Sequence, residues 1–294
     1  MSLKKKVKIL IMGNSESFVS SMMIKNIIKL SSKLNFEIVA VIDDAQKETG
    51  LLIKYLSFLV YKIFNPFEGN RLNIYPNFSY FAKEVKIIRL KDINPKDFLE
   101  KIEEFSADYA FVVGFGHIMK AKLISRFRKV LNYHNSYLPE CGGLYATSWE
   151  MYHGYERSGF SYHYIEDESI DTGNIILQKK IVIDKDATPL QNEFIKTLKA
   201  CVYLENALKM LFNEKTGSKQ EGGSYYGIKE INDIRKLDSL KNVEEINKKI
   251  HCFNYVDFNS EKVTRISDKG VVKRISYLPV VLYQIFMWFK IKFS

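Results

Sequence analysis

The stretch "VKILIMGNSESFVSSMMIKNIIKLSSKLNFEIVAVIDD", Val7 to Asp44, decides the fold class. Its first seven residues form a short apolar run, the pattern of a strand buried on both faces. From Ser15 onward apolar residues recur at helical spacing, and Ser15 or Ser17 stands where a helix needs an N-cap. "FEIVAVIDD" is a second buried strand that closes on two acids. A strand, a helix and a strand in this order argue for a parallel sheet covered by helices.

The pattern continues outward. "GLLIKYLSFLVYKIF" predicts a helix, after which Pro66, Gly69 and Pro76 break the chain into a loop. "VKIIRL" predicts a strand, and "NPKDFLEKIEEFSA" a helix with Asn94 as N-cap and Pro95 in its first turn. "DYAFVVGFG" and "VLNYHNSYLP" are two further strands. The expected fold is α/β, a Rossmann-like, mostly parallel sheet with helices on both faces, plus a small C-terminal α+β appendage. The run "GSKQEGGSYYG", Gly217 to Gly227, reads as a linker, so a catalytic domain is expected over 1–216 and a small C-terminal region over 217–294. After the linker that region holds an amphipathic helix, "NVEEINKKIHCF", and ends in a basic, partly apolar tail.

Composition sets bounds without choosing a function. The 294 residues are 46% hydrophobic and 27% charged, an ordinary globular balance. The net charge of +10 suits an anionic partner, although a Lys-rich chain reaches that value with none. Cys141, Cys201 and Cys252 show neither pairing nor metal-ligand spacing, so a cytoplasmic setting and no metal are expected. The apolar run after "MSLKKK" leads to no small-residue cleavage site and reads as a strand rather than a signal peptide. The tail segment "YLPVVLYQIFMWF" is shorter than the ~18 apolar residues a bilayer requires. It reads either as an element packed on the body or across a homodimer, or as a membrane-interface contact.

Chemistry concentrates at Asn132 and His134, two residues apart on one strand and therefore on one face. Both lie near a strand's carboxyl end, where open α/β sheets bind ligands, as does Gly114-Phe115-Gly116-His117. An amide donor and an imidazole suit attack of an amine on a carbonyl: negative charge appears on oxygen and nitrogen sheds a proton. The third member is sought in "YHYIEDESIDTGNIILQ", where Asp171 precedes a Thr-Gly turn. On spacing alone the bland readings stand: a strand-terminal Asn, a satisfied core histidine and an Asp that forms a turn.

"N-Y-H-N-S-Y-L-P", followed by Gly142-Gly143 and then by "IDTGNIILQ", resembles the folate-dependent formyltransferases, which act on glycinamide ribonucleotide, methionyl-tRNA or nucleotide sugars. The resemblance extends through "KDFLEKIEEFSADYAFVVGFGHI" and covers about residues 6 to 200. It implies 10-formyltetrahydrofolate as donor and Asn132, His134 and Asp171 as the catalytic trio. By this resemblance Asn132 donates to the formyl oxygen, His134 stabilises the oxyanion and manages protons, and Asp171 positions His134. Ser136 falls in the loop lining the formyl site. Main-chain groups of Gly116, His117, Ile118 and Met119, with Ile165, Asp167 and Ser169, fall where relatives hold the pterin. His163 falls where relatives often carry a histidine, and it reads equally as a structural one.

The acceptor is read from departures and from length. Relatives that act on tRNA or sugars usually carry Arg-Gly and then Pro after Leu-Pro, whereas this chain has "ECGGLYATSWEM". Gly142 and Gly143 offer backbone amides, and Tyr145 and Trp149 offer aromatic surface to a nucleotide base, with Trp149 alternatively the core anchor of a helix. About forty residues follow Phe253, so a complete RNA-binding barrel is not expected there. A nucleotide-linked amino sugar is the expected acceptor. Methionyl-tRNA, or formyl-folate hydrolysis without an acceptor, is the alternative.

Overall fold

The structure is a computed structural model that describes residues 6–45, 85–234, 236 and 243–253. In chain order these form β1 (Val7–Gly13), α1 (Phe18–Leu34), β2 (Phe36–Asp43), β3 (Ile87–Arg89), α2 (Phe98–Glu103), β4 (Tyr109–Val113), α3 (Ala121–Ile124), β5 (Lys129–His134) and β6 (Gly142–Gly143). They continue with α4 (Ala146–Tyr152), β7 (Arg157–Tyr164), β8 (Ile175–Val182), α5 (Pro189–Phe212), β9 (Tyr225–Tyr226), α6 (Ile228–Ile234) and α7 (Val243–Cys252).

The deciding stretch folds as its pattern requires. The Ser17 side chain accepts from the Ser20 amide and caps α1, while Val19, Met22, Met23 and Ile27 form its buried stripe. Asn35, left-handed at φ 54°, ends the helix and β2 starts at once. The seven-stranded sheet runs β3-β2-β1-β4-β5-β7-β8. Pairings from β3 through β5 are parallel, and β7 pairs antiparallel to β5. The mostly parallel α/β class is therefore as expected.

Two expectations change, and others fall where the structure is silent. The helix expected from Asn94 starts at Phe98, because Asn94 first closes a turn: its side chain accepts from the Lys96 amide and its carbonyl from Asp97. The expected helix over 50–64, the loop after it and the tail over 277–289 lie outside the described residues. "GSKQEGGSYYG" is no linker. Ser218 exchanges both backbone hydrogen bonds with Ile175, and Tyr225–Tyr226 pair with Gly142–Gly143 as a second, two-stranded sheet.

The chain divides into two compact units, and not at residue 217. One unit comprises Met1–His134, Ser161–Gln178 and Thr197–Gln220, the other Asn135–Phe160, Lys179–Lys196 and Glu221–Ser294. The chain passes between them repeatedly, which a single cut along the sequence cannot represent. The first unit has a core of Leu10, Met12, Ile42, Ala110, Val112 and Val130. The second packs around Trp149, whose indole stacks on Tyr226 with centroids 4.1 Å apart and meets Phe253 edge-on at 4.9 Å.

Candidate active site

β5 brings the polar residues to one place by strand geometry. Leu131 and Tyr133 are buried on one face of the strand, while Asn132 and His134 project from the other. Antiparallel β7 sets His163 opposite Asn132 in register. The Asn132 amide nitrogen lies 3.0 Å from His163 Nε2 and 3.3 Å from Asp171 Oδ1. His134 Nδ1 lies 3.3 Å from Asp171 Oδ2, and His163 Nε2 lies 3.3 Å from Asp171 Oδ1. The trio expected from the sequence is therefore one cluster, and His163 is its fourth member.

The hydrogen bonds order this cluster. His163 Nδ1 is 2.9 Å from the Tyr164 carbonyl, which only accepts, so Nδ1 carries the proton. In the neutral ring Nε2 is then the acceptor and takes an N–H from Asn132. The other Asn132 partner, a carboxylate oxygen, also accepts. The amide nitrogen is thus committed inside the cluster, an arrangement the two-residue spacing did not reveal.

Asp171 sits at φ 57°, in the left-handed region that Asp visits more readily than most residues. Gly173 follows because a Cβ there would lie 2.1 Å from the Tyr164 carbonyl oxygen. The turn is held from outside by Gln220, whose Nε2 donates to the carbonyls of Asp171 at 2.8 Å and Gly173 at 2.7 Å. Nothing in the sequence reading pointed to Gln220, which looked like part of a polar linker.

The segments expected to hold the pterin lie in the first unit. Gly114, at φ 59°, follows β4, and a Cβ on it would meet Ser20 Oγ at 2.9 Å. Gly116 donates its amide to the Asp44 carboxylate, which burial pushes above the usual carboxylate range against that hydrogen bond. The two acids that close β2 are therefore loop anchors: Asp43 Oδ1 accepts from the Ser15 amide at 2.8 Å. His117 is exposed, Ile118 is 54% exposed, and Met119 is buried, so Met119 has only main-chain groups to offer. In the acidic loop Asp167 caps the Ser169 amide at 2.7 Å, and the Ile165 amide donates to the Val130 carbonyl. Glu168, held below its ordinary range by Lys120, ties this loop to the start of α3 through Lys120 Nζ at 2.8 Å and the Ala121 amide at 3.1 Å.

In the second unit the remaining residues have structural duties. Ser136 is fully buried and donates to the Glu140 carbonyl at 2.6 Å, shaping its loop. The Gly142 amide donates to the Ser224 carbonyl, and a Cβ on Gly143 would lie 2.3 Å from the Tyr226 carbonyl oxygen. The glycine pair thus answers to close strand pairing, and the Gly142 amide is already engaged. Trp149, 5% exposed, is the core anchor rather than a surface, whereas Tyr145 is 38% exposed.

With this geometry in hand, residues 5–196 match the family model described as "Formyl transferase". A methionyl-tRNA formyltransferase of Clostridium beijerinckii is 26% identical over 196 residues, 64% of this chain and 62% of the relative. The chain thus spans less than two thirds of that relative's length. Two solved structures share the fold. A sugar N-formyltransferase from a Shewanella species has a TM-score of 0.59 at 17% identity, covering 86% of this chain and 91% of its own. An N-formyltransferase from Helicobacter canadensis, in complex with folinic acid and dTDP-3-aminofucose, has a TM-score of 0.57 at 20% identity, covering 84% and 80%.

Proposed function

The chain belongs to the formyl transferase family, and from that premise we propose that it moves a formyl group from 10-formyltetrahydrofolate to the primary amine of a nucleotide-linked amino sugar. The observation that carries the reading is the cluster of Asn132, His134, His163 and Asp171 at the end of β5. The acceptor nitrogen attacks the formyl carbon, a C–N bond forms and the carbonyl oxygen becomes an oxyanion. The intermediate collapses by breaking the bond to folate N10, which takes up a proton as the acceptor nitrogen loses one.

His134 presents Nδ1 to Asp171, so the opposite edge, Nε2, is assigned to the oxyanion. With its amide nitrogen held by His163 and Asp171, Asn132 is assigned to orient the amine through Oδ1 rather than to donate to the formyl oxygen. Asp171 orients the His134 ring and offsets the positive charge the ring gains as the proton moves. The donor is assigned to the main chain of Gly116, His117, Ile118 and Met119 and to Ile165, Asp167 and Ser169. Exposed Ile118 gives that segment the apolar surface a flat pterin fits.

The amino-sugar acceptor is supported by the dTDP-3-aminofucose that the Helicobacter canadensis relative binds, and methionyl-tRNA by the Clostridium relative. Incubation with 10-formyltetrahydrofolate and a panel of nucleotide-linked amino sugars, beside initiator methionyl-tRNA, separates them. We expect tetrahydrofolate release and a formylated sugar nucleotide. Formylated tRNA alone would move the acceptor to RNA, and no product with any amine would sink the proposal.

A further inference from the structure

We infer that Gln220 is a positioning residue for Asp171, acting from the end of a hydrogen-bonded strap, Thr216 to Gln220. The inference rests on the formyl-transfer reading and adds to it a residue that touches no substrate. Asp171 carries its carboxylate on a left-handed backbone, a conformation that persists only where its surroundings impose it. The strap supplies that constraint along the whole turn. The Thr216 carbonyl accepts from Asn174 Nδ2 at 3.2 Å, Ser218 exchanges hydrogen bonds of 2.9 and 2.8 Å with Ile175, and Gln220 spans the carbonyls of Asp171 and Gly173.

Two features mark the strap as built for this contact. Gly217, at φ 77°, is where it runs closest: a Cβ would lie 2.7 Å from the Ile175 carbonyl oxygen. Residues 213 to 219 are exposed, so apolar burial does not hold them there, and only Gln220 is half-buried. A primary carboxamide has two N–H groups and can serve two carbonyls at once, whereas a carboxylate of the same shape can serve neither. The chemistry at this position therefore requires an amide and not merely a residue of that size.

The test is Gln220→Glu, with Gln220→Ala as a second variant. We expect kcat to fall about 10- to 100-fold, the scale of a small misplacement of a catalytic group, while KM for 10-formyltetrahydrofolate stays within about twofold. A second readout needs no turnover. In ring 1H–13C spectra the signals of His134 and His163 should shift, while those of His117, His153 and His251 stay in place; the chain has five histidines. Unchanged kcat with unchanged ring signals overturns the inference. So does a rate loss accompanied by a lowered melting temperature and by movement of all five signals, the mark of a general structural role. If the wild-type protein formylates no amine while the His134 and His163 signals still move, the functional reading fails and the strap's hold on Asp171 stands.

Discussion

Asn132 and His163 face each other as register partners across β5 and β7, and their side chains meet with 3.0 Å between Nδ2 and Nε2. The contact makes the orientation of a side chain at the proposed reaction centre depend on a second strand. His163 is 1% exposed and its Nδ1 is pinned by the Tyr164 carbonyl, so Nε2 is fixed in space. An acceptor fixed in this way selects one of the two amide orientations of Asn132.

His163→Phe keeps a ring of similar size and removes that acceptor. We expect kcat to fall roughly tenfold, on the order of one lost neutral hydrogen bond at about 1 kcal/mol or slightly more. Because the effect runs through Asn132, the double variant with Asn132→Ala should be no slower than Asn132→Ala alone. Additive losses in steady-state formyl transfer would show that His163 acts independently.

His134→Ala and Asp171→Asn address the proposed proton-handling pair, whose atoms lie 3.3 Å apart. Each should lower kcat by about 10²- to 10⁴-fold, the usual contribution of a positioned proton-transfer group. Both side chains sit at a strand end or in a turn rather than in the apolar core, so unfolding midpoints should stay close to wild type. Unchanged turnover in His134→Ala would remove it from the mechanism.

The parts legible in the sequence were those governed by local periodicity. Val7 to Asp44 read correctly because each element is stabilised by its own pattern, and Asn132 and His134 were paired by the two-residue repeat of a strand. Asp171 needed the family resemblance, since a turn aspartate has no local signature of catalysis. Gln220 was invisible because its duty is a contact 49 residues distant in sequence. Gly142 and Gly143 misled for the same reason: a glycine pair next to a ligand and one next to a strand look alike until Tyr225 and Tyr226 arrive. The unit division could not be read because strands and a helix carry the chain from one unit to the other.

The buried cysteines yield a prediction about reactivity. Burial pushes Cys141 up to about 12 and Cys252 to about 11, from an ordinary value of 9.0. A raised value favours the neutral thiol, so at pH 8 both carry less thiolate than a free cysteine and should alkylate slowly with iodoacetamide. By linkage, the stability each contributes is complete below pH 9 and is lost as pH rises through 11 to 12. Mass spectrometry should find both labelled quickly in denaturant and slowly without it. Equal rates would contradict the burial seen here.

Lys196 and Glu150 form a fully buried ion pair in the second unit, and the arrangement around them predicts which substitution is worse. Lys196 Nζ also donates to the Asn135 carbonyl at 2.8 Å and to Thr147 Oγ1 at 3.0 Å, so its charge is well satisfied. Glu193 adds a second carboxyl, pushed up by burial and hydrogen-bonded to Asn135. Lys196→Met would leave Glu150 with its charge buried and its main partner gone, and we expect a loss of about 3–5 kcal/mol in urea unfolding. Adding Glu150→Gln removes the stranded charge and should recover part of that loss, because the cost of the single variant is mostly uncompensated charge rather than missing attraction. A double variant less stable than Lys196→Met would show that the cost of the single variant is not the stranded Glu150 charge.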